Sequence, residues 1–337
     1  MIPDTDRRYC QDLLPKVSRT FAACIGLLPP PVNHQVLIAY LLCRIADTIE
    51  DTADLAVQDK ERLLAAFSAA LDAPAAGCPD LATVFANPRN DDERLTRDAE
   101  ITLREFVRLG PDAVAAIRPW VREMCAGMAG YAAVHAQARP GNLVALDTIA
   151  ELDRYCYFVA GTVGHLLSAL FRLHTPQVTP AGYTRLKALA TSFGLGLQLT
   201  NIIKDVADDR QRGWSFVPHD LCATYGITPE QLTDPAHAAA ARQVMQALVT
   251  KARSHLADAL DYCCALPRRQ YRLRLFCLTP LFFAVRSLAL AEKDPRLLDP
   301  THKVKITRKA VYRTIAMTQV VAPSNLLVRG YCHWLRR

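Results

Sequence analysis

The 337-residue sequence predicts an all-α protein. Apolar residues recur three and four positions apart over most of the chain, which is the spacing of one face of an α-helix. No long stretch alternates apolar and polar residues as a half-buried strand does, and glycine is sparse while alanine, leucine and arginine are abundant. With 51% hydrophobic residues the chain can bury a large core, so we expect about ten or more helices.

Proline, glycine, asparagine and aspartate mark the breaks between the predicted helices. Pro29, Pro30 and Pro31 close an early apolar segment, and residues 72–92 have the composition of a loop. Helical spacing predicts a helix that carries Asp47 and ends at about Ala53, and further helices over 59–71, 93–109, 111–137, 145–173 and 183–207. No segment has the composition of a linker and no solenoid repeat is present, so we expect a single domain over residues 1–337.

The formal net charge of +7 is concentrated at one end of the chain. Residues 301–337, the basic C-terminal segment, contain eight Lys or Arg and no Asp or Glu. Such a segment can bind nucleic acid, an anionic membrane surface or an anionic ligand. Aromatic residues are not interleaved with these cations as they are in nucleic-acid-binding proteins. We therefore expect no nucleic acid partner, and peripheral membrane contact stays open.

Eleven scattered cysteines indicate a reducing compartment. Several lie inside apolar helical runs, as buried free thiols do, and none has the spacing of a zinc site. Residues 1–10 lack the apolar core of a signal peptide, and the most apolar run, 276–285, is far shorter than the roughly 20 residues of a membrane span. We expect a cytoplasmic monomer, with peripheral contact with the inner face of the membrane left open.

Two acidic motifs lie within apolar helical segments. The first motif is Asp47, Glu50 and Asp51, which share a helix face because residues three and four apart are neighbours there. The second motif lies at 205–209 and has three aspartates. Acids on helices are usually solvated or paired with lysine. Here the apolar surroundings favour a different arrangement, in which the two acidic motifs face each other and hold a diphosphate chelated by Mg²⁺. Mg²⁺ binds few carboxylates and leaves coordination positions for phosphate oxygens.

Cations accompany both acidic motifs. Arg44 precedes Asp47 by one turn, Lys204 precedes the second motif, and Arg210 and Arg212 follow it. These side chains would neutralise the phosphate charge that the metal leaves uncompensated.

Four glycines lie in the interior of predicted helices, at Gly161, Gly164, Gly194 and Gly196. Each costs roughly 1 kcal/mol relative to alanine, so something must offset that cost. One interpretation is close packing of helices through small residues. The other is a bend or a smooth wall against which a long apolar ligand lies, and the sequence leaves both open.

Several segments together resemble the squalene/phytoene synthase family and occur in that family's order, over roughly 290 of the 337 residues. These segments are Ser18–Phe21, Tyr40–Asp51, Tyr155–Gly161, Gln198–Asp209, Phe276–Cys277 and Val304–Ile306. The paired acidic motifs and the Tyr-Cys motif between them are specific in combination. Within the family, residues 304–308 resemble the segment that helps to hold a nicotinamide cofactor.

The resemblance implies an isoprenoid-synthase fold, in which a single helical domain surrounds a central cavity. It implies head-to-head joining of two farnesyl diphosphates through presqualene diphosphate, followed by reduction to squalene, with Mg²⁺ and NADPH as cofactors. The implied Mg²⁺ ligands are Asp47, Glu50, Asp51, Asp205 and Asp209. The implied catalytic residues are Asp47, Asp51, Asp205 and Asp209, with Tyr155 assisting proton removal. The implied substrate contacts are Ser18, Arg19, Phe21, Tyr40, Arg44, Gln198, Asn201 and Lys204, and the implied NADPH contacts are Arg19, Arg44, Lys204 and Lys305.

One position departs from the family pattern. Trp214 follows Gly213 where family members commonly have arginine, so Arg210 and Arg212 become the alternative sources of positive charge. Two other functions stay open. One is a phytoene, dehydrosqualene or presqualene diphosphate synthase that uses no reductant, and the other is a non-catalytic helical protein that binds isoprenoid or anionic lipid. The intact acidic set argues against the second, and the sequence does not fix the chain length of the substrate.

Overall fold

A computed structural model describes residues 5–74, 77–135, 138 and 141–337, and the prediction of an all-α class with about ten or more helices is confirmed in these ranges. The α-helices are α1 (Thr5–Val17), α2 (Arg19–Gly26), α3 (Val32–Asp51), α4 (Val57–Ala70), α5 (Pro79–Val84), α6 (Asp91–Arg97), α7 (Ala99–Arg108), α8 (Pro111–His135), α9 (Ile149–Cys156), α10 (Thr162–His174), α11 (Pro180–Gln211), α12 (His219–Thr224), α13 (Ala238–Ala265), α14 (Tyr271–Lys293), α15 (Arg308–Val321) and α16 (Asn325–Leu335). A π-helical segment, Tyr157–Gly161, joins α9 to α10.

A single strand pair is present in the described ranges. Strands β1 (Val144–Ala145) and β2 (Trp214–Ser215) pair in parallel, with Val144 opposite Trp214. Each strand has two residues, so the pair fixes two loops rather than forming a layer of its own.

The chain divides into two compact units. The first unit comprises Met1–Ala136 and Thr162–Tyr183, and the second comprises Gln137–Gly161 and Thr184–Arg337. The prediction of one domain around a central cavity stays a prediction.

Helix α3 is the core of the first unit. It packs against α4, α6, α7, α8 and α10, and nearly all of its apolar side chains are buried. Because neighbours surround it, the helix is apolar on several faces rather than along one stripe. Carboxylates at its C-terminal end therefore lie next to the core.

The second unit is built on α13 and α14, which pack along each other. The fully buried Arg274 joins the C-terminal helices to this pair. Its guanidinium donates to the carbonyl oxygens of Ala322 at 2.7 Å and Leu266 at 2.9 Å, and to the side-chain oxygen of Asn325 at 2.7 Å. A buried arginine is stable only where such acceptors surround it.

The predicted helix boundaries differ from the observed ones at two places. Residues 93–109 form α6 and α7 rather than one helix, because the chain breaks at Asp98, whose carboxylate accepts from the Tyr9 hydroxyl at 2.6 Å. Residues 72–92 are not entirely loop, since α5 begins at Pro79. Proline suits the first helical position, where its missing N–H costs nothing.

The other predicted helices are confirmed with shifted ends. The predicted helix 59–71 is α4, and 183–207 lies within α11. The predicted helix 145–173 starts later, because β1 occupies its first residue, and it includes the π-helical segment. The predicted end of α8 at residue 137 lies outside the described residues.

Two helical stretches in the described ranges are long and apolar enough to cross a membrane, by length and composition alone. They are Ile149–His174 and Tyr271–Lys293. The apolar run 276–285, which was predicted to be too short for a membrane span, therefore lies inside a 23-residue helix. The most apolar window of the second stretch is 78% buried within the protein, as expected for a core helix.

Candidate active site

The first acidic motif lies on the last turns of α3. Glu50 is buried, Asp47 is partly buried and Asp51 is exposed, so the three carboxylates extend from the core of the first unit to solvent. The predicted shared face is therefore observed, and its side chains differ in their access to water.

Arg44 contacts two carboxylates of the first unit. Its guanidinium is 3.8 Å from the carboxylate of Asp47 and 3.7 Å from that of Asp92, and it donates to the Tyr40 hydroxyl at 3.0 Å. Asp92 lies in the first turn of α6 and was not predicted as a site residue. No sequence signal indicated Asp92, because it ends a segment with the composition of a loop. Its contact with Arg44 also joins parts of the chain that are distant in sequence.

The carboxyl groups of the first motif have raised pKa values. Burial raises the pKa of Asp47 to about 7, although the Arg44 guanidinium opposes the rise and neighbouring carboxylates add to it. Burial and the other acids of the motif likewise raise the pKa of Glu50, against the opposing charge of Lys60. Both shifts show that the cations present do not fully offset the cost of ionising this motif.

Lys60 is a second residue of this region that the sequence did not indicate. It is buried, and its amine donates to the backbone carbonyl of Glu50 at the end of α3. Burial lowers the pKa of Lys60. The neighbouring carboxylates of Glu50 and Asp51 oppose this change, because they favour the charged form of the Lys60 amine.

The predicted substrate contacts near the N-terminus are partly assembled. Ser18 caps α2, and its hydroxyl accepts a hydrogen bond from the Phe21 amide at 3.3 Å. The Phe21 ring packs on the Tyr40 ring at 5.4 Å between centroids, and Tyr40 accepts from Arg44. The side chain of Arg19 lies outside the described residues.

The second acidic motif lies on the last turns of α11, and two of its aspartates pair with cations beside them. The Lys204 amine contacts both carboxylate oxygens of Asp205, and the Arg212 guanidinium contacts Asp209. Asp205 is 40% exposed, whereas Asp209 is 12% exposed. Burial raises the pKa of Asp209 to about 6, with Arg212 opposing the rise.

Lys303 pairs with the remaining aspartate of the second motif, Asp208. Its amine donates to the carboxylate of Asp208 at 2.7 Å, which brings the extended segment 302–307 to the end of α11. Lys305 lies in that segment and is exposed, and no described carboxylate pairs with it. The sequence indicated a basic segment here but did not indicate that Lys303, rather than Lys305, contacts the motif.

Tyr155 is 6% exposed and lies at the end of α9. Its ring packs on Phe216 at 4.9 Å, and Phe216 packs edge-on against Trp214 at 5.4 Å. Trp214, the position predicted to depart from the family pattern, is thus a buried member of an aromatic cluster in the second unit.

Arg210 and Arg212 differ in whether their guanidinium groups can reach a ligand. Arg210 donates to the backbone carbonyl oxygens of Pro229 and Glu230, the latter at 3.0 Å, so it holds the chain after α12 in place. The expectation that Arg210 supplies charge to a ligand is therefore not supported. Arg212 is 73% exposed, and its carboxylate partner is Asp209.

Gln198 and Asn201 lie on α11 before the second motif. Gln198 is partly buried and Asn201 is exposed. Positions 198, 201 and 205 follow the three- and four-residue spacing of one helix face, so the two amides lie on the same face of α11 as Asp205.

The glycines of α11 are sites of close packing. A Cβ on Gly194 would lie 2.3 Å from the carbonyl oxygen of Ala160, in the π-helical segment, and one on Gly196 would lie 3.1 Å from the backbone nitrogen of Leu256 in α13. Among the alternatives left open, close packing is thus confirmed at both positions. The π-helical segment ends at Gly161, which also supports a local change of helix geometry there.

Neither acidic motif forms a group of three His, Cys, Asp or Glu positioned to hold a metal ion among the described residues. Mg²⁺ needs no such group, because one or two carboxylates suffice when phosphate oxygens and water complete its octahedron. The raised pKa values of Asp47 and Asp209 fit an added cation, since it would favour the ionised form of each carboxylate. The donor set therefore fits Mg²⁺ bound together with a diphosphate.

Comparison with known proteins decides the family. The sequence profile of squalene/phytoene synthases matches residues 14–310. The chain belongs to the squalene/phytoene synthase family. It is 32% identical to the squalene synthase of Eremothecium gossypii over 299 residues, which cover 88% of this chain and 65% of that relative. It is 28% identical to the squalene synthase of Schizosaccharomyces pombe, over 90% of this chain and 63% of that relative.

The family's fold is also observed. A solved complex of TcSQS with the ligand E5700 matches this chain with a TM-score of 0.81 and 27% sequence identity, covering 99% of this chain and 92% of that one. The prediction of an isoprenoid-synthase fold is confirmed. The chain spans slightly less than two thirds of the length of the two curated relatives, at 65% and 63%.

Proposed function

We propose that this chain joins two farnesyl diphosphates head to head through presqualene diphosphate and reduces that intermediate to squalene with NADPH. The names of its curated relatives and the retained acidic motifs support the condensation. The observation that carries the reductive half is the contact between Lys303 and Asp208, which holds the segment 302–307 beside the second motif. A segment with two exposed lysines, Lys303 and Lys305, suits the phosphates of a dinucleotide.

The carboxylates of both motifs are the proposed metal ligands. Asp47, Glu50 and Asp51 would hold Mg²⁺ at the first motif, and Asp205 and Asp209 would do so at the second. Bound Mg²⁺ would neutralise the charge of a leaving diphosphate, and NADPH would supply a hydride.

Cations of the chain must change partners when substrate binds. Arg44 and Lys204 are proposed to contact diphosphate, and both now lie against carboxylates of their own motif. A metal ion on those carboxylates would release the two side chains toward phosphate oxygens. Arg19 is proposed for the same role.

Aromatic side chains are proposed to protect the reacting carbons. Phe21 and Tyr40 form one aromatic pair, and Tyr155 and Phe216 form another. Such rings exclude water, which would quench a carbocation, and their faces stabilise positive charge. The Tyr155 hydroxyl is proposed to assist proton removal, while Ser18, Gln198 and Asn201 position the substrate.

We further propose that the chain acts as a monomer in the cytoplasm. All eleven cysteines are described and free, and ten of them are buried, which suits a reducing compartment.

Product analysis tests the proposed function. Purified protein is incubated with farnesyl or geranylgeranyl diphosphate and Mg²⁺, with and without NADPH, and extracts are examined by mass spectrometry. We expect squalene from farnesyl diphosphate when NADPH is present and presqualene diphosphate when it is omitted. The same hydrocarbon with and without NADPH would instead identify a reductant-independent synthase, and no product under any condition would indicate a non-catalytic protein.

A further inference from the structure

A cavity of about 210 Å³ lies between α14, α15 and α16 in the second unit. Its residues belong to neither acidic motif. They are Arg286, Thr307, Lys309, Ala310, Arg313, Thr314, Tyr331, Trp334 and Leu335. Three of them are cations and none is an acid, so the lining is strongly positive.

The three cations of this cavity are not neutralised by any carboxylate in the described ranges. Among the described side chains, no acid pairs with Arg286, Lys309 or Arg313, and the contact found for Arg313 is with the face of the Trp334 ring at 4.5 Å. This differs from the rest of the protein, where many arginines form ion pairs. Three such cations around one cavity attract an anion strongly.

Tyr331 gives a second, independent indication of a ligand. The residue is 8% exposed, and its hydroxyl has no hydrogen-bond partner among the described residues. Its ring is fixed between Phe282, edge-on at 5.0 Å, and Trp334, stacked at 5.7 Å. A buried hydroxyl without a partner costs free energy, which a ligand with acceptor oxygens would recover.

The start of α15 also faces this cavity. Thr307 caps the helix by accepting from the Ala310 amide at 3.2 Å, and both residues line the cavity. The positive end of the helix dipole at this point favours a phosphate-like anion.

Large aromatic side chains are exposed on the same helices. Tyr312 on α15 is 71% exposed, and Trp334 on α16 is 42% exposed. Tyrosine and tryptophan rings next to cations are typical of the boundary between a membrane and water. A free phosphate would gain nothing from these rings, whereas a lipid would.

We propose that this cavity binds a phosphate group that belongs to the headgroup of an anionic phospholipid. Arg286, Lys309 and Arg313 contact the phosphate, the Tyr331 hydroxyl donates to one of its oxygens, and the rings of Tyr312 and Trp334 lie in the headgroup layer. The protein then docks on an anionic membrane surface through its basic C-terminal segment. This inference does not depend on the proposed catalytic function.

Vesicle co-sedimentation tests the proposal with the full chain. We expect binding to vesicles of phosphatidylcholine with phosphatidic acid and little binding to phosphatidylcholine alone. The double variant Lys309→Ala/Arg313→Ala should bind about thirtyfold more weakly, from about 1 kcal/mol for each cation near a charged surface. Its matched control is Arg268→Ala/Arg269→Ala, which removes two exposed cations outside the cavity lining and should retain most of the binding.

The variant Tyr331→Phe keeps the ring and removes the hydroxyl alone. It should weaken vesicle binding about fivefold, the scale of one hydrogen bond, without lowering the thermal midpoint of the lipid-free protein. Equal losses in the two double variants would overturn the proposal, because binding would then follow net charge. Stabilisation by inorganic phosphate or NADP⁺ without vesicle binding would overturn the lipid assignment.

Discussion

The two acidic motifs have the same spacing of carboxylates but different charge compensation. In the first motif, Asp47 shares Arg44 with Asp92, and burial raises the pKa values of Asp47 and Glu50. In the second motif each of the three aspartates has its own cation, and those cations are Lys204, Lys303 and Arg212.

This difference indicates what each motif needs from a ligand. The cations beside the first motif do not offset the burial of Asp47 and Glu50, so a metal ion should bind there mainly by favouring ionised carboxylates. The second motif is already paired, so a metal ion must displace lysine and arginine side chains, which then become available to phosphate. The comparison therefore predicts that metal binding affects the electrostatics of the first motif and the side-chain contacts of the second.

The largest expected effect is the loss of turnover on removing one carboxylate from either motif. Asp51→Asn and Asp205→Asn should each lower kcat by at least about 100-fold, the scale of losing one electrostatic stabiliser of the transition state. Both side chains are exposed or partly exposed, so helical circular dichroism should be unchanged. Steady-state assays with Mg²⁺ measure the effect.

Asp54→Asn is the matched control for this pair. Asp54 lies just beyond α3, its side chain is 73% exposed and its partner is Arg89, so activity should stay near that of the unmodified protein. A fully active Asp205→Asn protein would show that the second motif is only a solvated helix face.

A smaller effect is expected at the basic segment beside the second motif. Lys305→Ala should raise the KM for NADPH about tenfold, the scale of one hydrogen bond to a charged group, and let presqualene diphosphate accumulate. The first condensation needs no hydride and should continue at its usual rate. Kinetics of both half-reactions measure this split, and equal slowing of both would show that Lys305 has no specific role toward NADPH.

The pH dependence of stability reports on the buried carboxylate of Asp47 in the first motif. The pKa of Asp47 in the folded protein, about 7, exceeds its ordinary value of 3.8, so the unfolded chain releases this proton first. Without Mg²⁺, Asp47 therefore lowers stability as pH rises from about 4 toward 7. Asp47→Asn should match the unmodified protein in thermal midpoint near pH 4 and exceed it at pH 8.

Added Mg²⁺ and diphosphate should reduce that difference, because they stabilise the ionised carboxylate of Asp47. Asp54→Asn again serves as the control and should follow the unmodified protein at each pH. An Asp47→Asn midpoint that stays below the unmodified protein across the whole range would contradict the electrostatic account of the first motif.

The smallest expected effect is on the ion pair between Lys303 and Asp208. The Lys303 side chain is 54% exposed, so Lys303→Ala should reduce the free energy of unfolding by at most about 1 kcal/mol. Its effect on the KM for NADPH should be smaller than that of Lys305→Ala, because Lys303 is already paired. Denaturant titration and NADPH kinetics test the two statements, and a larger KM effect at Lys303 would reverse the assigned roles.

Helix periodicity and motif spacing predicted the fold class and both acidic faces. The spacing of Asp47, Glu50 and Asp51 suffices to place them on one face, since a helix repeats every 3.6 residues. Segment boundaries were less predictable, because α5 and the break at Asp98 depend on local backbone chemistry that composition does not show.

Partners contributed by distant segments could not be predicted. Asp92, Lys60 and Lys303 reach the motifs through packing of separate helices or loops, which no local pattern encodes. The close approach of Gly194 to Ala160 is of the same kind, because the sequence indicated a small residue without indicating what it faces.

Transfer of deuterium from labelled NADPH to the product tests the central claim most directly. The protein is incubated with farnesyl diphosphate, Mg²⁺ and NADPH that carries deuterium at the transferable position, and the hydrocarbon is analysed by mass spectrometry. The account predicts squalene that contains a single deuterium, with none transferred by Asp205→Asn. The account would be contradicted if the hydrocarbon contained no deuterium and formed at the same rate when NADPH was omitted.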